Sequence, residues 1–123
     1  MLLTFKKADG SSITLGPLQQ FRLDGEKLRE SLGGAVLAKH EGKAWNVAGE
    51  HFLRLDYEGP LTIKFEDGRR GKASRTFGPF THFSSVDGVT YANREVFCHL
   101  TEKTLWHVRQ DHTEWPTMIV EKA

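Results

Sequence analysis

Apolar and polar residues alternate with a period of two along much of this chain. The clearest runs are Phe52-Leu53-Arg54-Leu55-Asp56-Tyr57 and Leu61-Thr62-Ile63-Lys64-Phe65-Glu66. Such alternation marks strands with one face buried and one face wet. No segment carries a convincing helical stripe. The best helix candidate runs from Gly25 to Leu32, but a hairpin that pairs Phe21 with Leu28 explains its apolar residues equally well.

Asp-Gly pairs at 9–10, 24–25, 67–68 and 87–88, with Glu41-Gly42 in a similar setting, punctuate the strand-like stretches. A two-residue hairpin turn needs positive φ, which Gly adopts freely and Asp better than most residues. Folding about Asp24-Gly25 pairs Leu23 with Glu26, Arg22 with Lys27 and Phe21 with Leu28. The apolar residues then share one face, and the like-charged Arg22/Lys27 pair implies a well-solvated opposite face. Folding about Glu41-Gly42 pairs Val36 with Val47 and Ala38 with Trp45. Three-residue loops fit better at Asp67-Gly68-Arg69, which pairs Ile63 with Ala73, and at Asp9-Gly10-Ser11, which brings Phe5 opposite Leu15. Late in the chain Glu102-Lys103 closes a hairpin pairing Leu100 with Leu105, His99 with Trp106, Cys98 with His107 and Phe97 with Val108.

Three stretches begin with Gly-Pro before an apolar residue, at 16–18, 59–61 and 78–80, and reach Asp-Gly about nine residues later. Pro suits the first residue of a strand and Asp-Gly its closing turn. The uneven spacing argues against a duplicated unit. On the order of ten short strands are expected. The last of them, Val96 to Leu100 and Leu105 to Val108, are apolar on both faces. The predicted fold is therefore all-β, an antiparallel hairpin-rich barrel or two-layer sandwich. At 123 residues the whole chain, 1–123, suits a single β domain.

Charge narrows the function little: Lys and Arg number 17 against 16 Asp and Glu, so nothing resembles a strongly basic nucleic-acid binder. With only Cys98 there is no intrachain disulfide and no paired-cysteine zinc motif, which favours the cytosol as the expected compartment. The apolar stretch at Met1 to Phe5 is too short for a signal peptide, and no run approaches the roughly 20 apolar residues of a membrane helix. No membrane partner is expected.

The dense basic run is Arg69, Arg70, Lys72 and Arg75 around Gly71, where the backbone could approach an anion closely. A solvated hairpin, with Glu66 opposite Arg70, explains the same residues more simply. Trp115, after the polar stretch 110–114, is the best hint of a recognition surface. The six histidines lack metal-ligand spacing, so no metal or other cofactor is implied. Cys98 beside His107 is the only nucleophile–base candidate, and packed core is the commoner role for such a pair. The expected function is a non-enzymatic binding or interaction module for a protein or small ligand. Anion or nucleic-acid binding through the 69–75 hairpin comes second. A barrel-type enzyme using the late His/Cys cluster comes third.

Overall fold

The computed structural model describes residues 1–68 and 73–123. The elements described below are all strands. The first hairpin joins β1 (Leu3–Lys6) to β2 (Ser12–Leu15), and the second joins β3 (Gln20–Asp24) to β4 (Lys27–Arg29). A meander of β5 (Val36–Glu41), β6 (Ala44–Val47) and β7 (Glu50–Phe52) follows. The two long strands β8 (Arg54–Asp67) and β9 (Ala73–Val86) come next. They lead into β10 (Val89–Ala92), β11 (Glu95–Leu100), β12 (Trp106–Val108), β13 (Glu114–Trp115) and β14 (Thr117–Lys122). No helix among the described residues is long and apolar enough to cross a membrane.

All the strands join one antiparallel sheet in the order β13-β12-β11-β10-β9-β8-β14-β3-β4-β5-β6-β7, with β1 also paired to β8 and β2 to β1. The sheet is not closed, which corrects the barrel expectation. Its terminal strands, β13 and β7, are two and three residues long and form no ladder with each other. Curling replaces closure, and strands distant in the sheet meet across one core, which fits two packed layers. Phe21 of β3 stands edge-on to Phe83 of β9 at 5.4 Å. Phe65 of β8 stacks on Phe97 of β11 at 6.1 Å, and Phe5 of β1 meets Trp45 of β6 at 6.1 Å.

The Gly-Pro pairs at 59–60 and 78–79 do not start strands. They sit inside β8 and β9, where the pairing register shifts between Glu58 and Leu61 and again between Leu61 and Ile63. A bulge leaves residues outside the ladder, so a proline without an N–H costs no ladder bond there.

The hairpins form with corrected registers. At the second, Leu23 faces Leu28 and Arg22 faces Arg29, because the loop is Gly25-Glu26 rather than Asp24-Gly25. Gly25 has φ +57 and takes the first central position, as a Gly-first turn requires. The same shift at Gly42-Lys43 pairs His40, rather than Ala38, with Trp45. In the first hairpin Leu3 faces Leu15 and Phe5 faces Ile13. Ile63 faces Phe77, rather than Ala73. The loop foreseen through Arg69 lies partly outside the described residues. Each of these shifts is even, so the faces survive. Arg22 itself is nonetheless buried rather than solvated and bonds to Asp24, which also meets Arg29 at 3.6 Å and Thr117 at 2.9 Å, whereas Lys27 on the same face is exposed.

At β11–β12 the slip is odd. Thr104, at φ +58, adds a third loop residue, so Cys98 pairs with Val108, His99 with His107 and Leu100 with Trp106. A one-residue slip exchanges the faces. Cys98, Trp106 and Val108 enter the core and the histidines point away from it. The two-faced apolar pattern of β11 comes from a second irregularity, a bulge opposite Thr90 and Tyr91 that lets Phe97 and Cys98 both be buried.

Candidate ligand-binding cleft

The outer face of β1, β8, β9 and β10 collects polar residues from four separate parts of the sequence. Alternation in β8 puts Arg54, Asp56 and Glu58 on this face, and the ladder sets Lys6 beside Arg54, Ser84 beside Asp56 and His82 beside Glu58. Tyr91 of β10 faces Ser84. Beyond β10 the chain turns through Asn93 and Arg94, both at positive φ, 51° and 69°. Neither is glycine, so a mild backbone strain is held here. Asn93 secures it: its Oδ1 accepts from the backbone N–H of Thr81 at 2.8 Å and of His82 at 3.2 Å, and its own N–H donates to the His82 carbonyl at 2.9 Å.

These residues line a cleft of about 660 Å³, formed by Lys6, Arg54, Glu58, His82, Ser84, Val86, Tyr91 and Arg94. That volume lies in the range of small-molecule sites. Asp56 lies buried beside three of these lining residues, with 9% of its side chain exposed. Arg54 Nε donates to both Asp56 oxygens at 2.9 and 2.8 Å, Lys6 Nζ is 3.5 Å away and His82 Nε2 is 3.7 Å away. Asp56 is thus already satisfied. Groups without a protein partner among the described residues surround it. Arg94 makes no hydrogen bond or ion pair with any described residue, nor do the Tyr91 and Ser84 hydroxyls. His82 Nδ1 is buried without a partner.

No known family, curated protein or solved structure matches the chain. Three fixed cations, Lys6, Arg54 and Arg94, face two carboxylates, Asp56 and Glu58, and the uncommitted groups are mostly hydrogen-bond donors or hydroxyls. Such a lining suits an anionic oxygen ligand, because guanidinium groups bind carboxylate and phosphate with charge-assisted hydrogen bonds.

The residues singled out from sequence lie elsewhere. Arg69, Arg70 and Lys72 are outside the described residues. Arg75 pairs with Asp111 at 3.1 Å and lies over the Phe77 ring at 5.3 Å. Burial works against ionised Asp111, but hydrogen bonds from Thr113 and the Arg75 charge hold its carboxyl below the usual carboxylate value. Trp115 is half-buried against Phe65, and its Nε1–H donates to Thr113 Oγ1 at 2.7 Å. It also borders a second cleft with Asp67, Ala73, Leu105 and Glu114.

Cys98 and His107 are not brought together. Burial pushes the Cys98 thiol up to about 12, and its sulfur lies 3.7 Å from Met118 Sδ. Such a thiol is a packing group, since the thiolate is the nucleophile.

Sequence reasoning missed Lys6, Arg54, His82, Ser84, Tyr91 and Arg94. One trace was present: the polar half of the alternation at Arg54, Asp56 and Glu58, which reads as an ordinary wet face until its neighbours are known.

Proposed function

We propose that this chain is a binding module that holds a small anionic, oxygen-rich ligand in the outer-face cleft. The observation that carries the proposal is that Arg94, in a positive-φ turn and with no protein partner for its guanidinium among the described residues, lines one cleft with Arg54 and the unpaired hydroxyl of Tyr91. Lys6, Arg54 and Arg94 set three positive charges against the two negative charges of Asp56 and Glu58, which leaves a net positive charge for an anion to meet. Ordering a donor before binding lowers the cost of association, and Arg54 is so ordered by its two bonds to Asp56. Asp56 contributes to the same end, since it holds the Nε side of Arg54 and leaves its terminal nitrogens for a ligand.

Calorimetric titration with inorganic phosphate, sulfate and citrate tests this. The expected result is saturable binding of at least one of the three, weakened roughly tenfold or more by Arg94→Ala, a loss of about 1.4 kcal/mol. Arg109→Ala, an exposed arginine outside the cleft, is expected to bind as wild type. Absence of binding by all three anions, or equal binding by Arg94→Ala, would overturn the proposal.

A further inference from the structure

A single cross-strand row runs over the outer face from β1 to β13: Lys6, Arg54, Val86, Val89, His99, His107 and Glu114 are successive partners. The Val86–Val89 pair separates the cleft from a group of imidazoles. His99 and His107 are direct partners whose ring centroids stand 5.1 Å apart, and His112, in the turn after β12, is 5.6 Å from His107. None of the three rings has a hydrogen-bond or ion-pair partner among the described residues, and none of their nitrogens is a buried unpartnered atom.

Two imidazoles bound to one ion at about 2.0–2.1 Å in tetrahedral geometry have centroids about 5 Å apart, since each centroid lies a little over 1 Å behind its nitrogen. The His99–His107 spacing meets that condition. As the side chains lie, no group of three among the described residues encloses an ion. His99 and His112 are exposed, however, so other staggered rotamers are open to them.

We propose that His99 and His107 are the primary ligands of a solvent-facing site for a divalent transition-metal ion, with His112 rotating in as third ligand and water completing the shell. Neutral imidazole suits Zn²⁺, Ni²⁺ and Cu²⁺. The pair is carried on directly paired positions of two hydrogen-bonded strands, so the backbone separation of the two residues is set before the ion arrives. The occupied site ties β11 and β12 to the turn that leads into the edge strand β13.

The test is calorimetry with Zn²⁺ alone near neutral pH, on wild type, His99→Ala, His107→Ala and His51→Ala. One equivalent is expected to bind wild type, and His99→Ala and His107→Ala each to weaken binding roughly tenfold or more, with His51→Ala unchanged. Affinity is expected to fall on acidification, as protons compete for the imidazoles. Because His99 is exposed, His99→Ala leaves the core untouched and decides the matter even if His107→Ala disturbs β12. No binding to wild type, or wild-type binding by His99→Ala, would overturn the proposal.

Discussion

Arg54 donates from Nε to both carboxylate oxygens of Asp56, its neighbour two positions along β8, and the two side chains lie on the same face of the sheet. Asp56 is the buried member and Arg54 the half-exposed one. Asp56→Asn is expected to lower stability by about 1–2 kcal/mol, a figure kept small because Arg54 and Lys6 are partly screened by water. Urea unfolding at neutral pH checks it, and an unchanged midpoint would show that the Asp56 carboxylate does not stabilise the sheet through Arg54 and Lys6.

Gly25 combines a left-handed backbone with a close neighbour. A Cβ there would lie 3.2 Å from the Thr104 carbonyl oxygen, so the β3–β4 turn is pressed against the β11–β12 turn. Gly25→Val is expected to cost roughly 1–3 kcal/mol from backbone strain. A melting temperature equal to that of wild type would contradict the packing of these two turns.

Cys98 is fully buried, and its thiol is pushed up to about 12 by that burial. It is expected to resist an aromatic disulfide reagent at neutral pH in the folded protein and to react promptly in denaturant. Rapid labelling without denaturant would contradict the register that places Cys98 inside.

His40 is held below the ordinary imidazole value chiefly by burial, with the charges of Asp87 and Glu26 pulling the other way. Its ring stands edge-on to Trp45 at 5.3 Å, and its Nε2 is buried without a partner. Above about pH 6.5 the residue is neutral folded and unfolded alike. Below that, the unfolded chain takes up the proton first, so stability falls with pH until the folded His40 also protonates. His40→Gln is expected to lose less stability than wild type between about pH 8 and about pH 5.5 in urea titrations. Equal losses would assign the acid sensitivity to other groups.

The faces of the strands were legible in sequence because the side-chain period is two and an even register error leaves it intact. Phe21, Leu23 and Leu28 share a face whether the loop is Asp24-Gly25 or Gly25-Glu26. At β11–β12 no such protection existed. Thr104 in a left-handed conformation is a choice that its type disfavours, and the extra loop residue moved His107 from the face of Cys98 to that of His99. The turns at Ala48-Gly49 and Asn93-Arg94 also passed unread, since neither carries an Asp-Gly pair. Beyond the polar alternation of β8, the cleft lay outside local pattern: Lys6, Arg54, His82 and Arg94 come together only because β1 and β9 both pair with β8, and β10 continues from β9.

Anion binding in that cleft can be followed at the guanidinium groups themselves, by the side-chain Nε–Hε resonances of the arginines during titration of the ¹⁵N-labelled protein with inorganic phosphate. Saturable shifts at Arg94 and Arg54, with Arg75 and Arg109 unmoved, are the expected result, since Arg75 is paired with Asp111 and Arg109 lies outside the cleft. Shifts confined to Arg75 and the arginines at 69 and 70, or no saturable shift at Arg54 and Arg94, would contradict the cleft as the binding site.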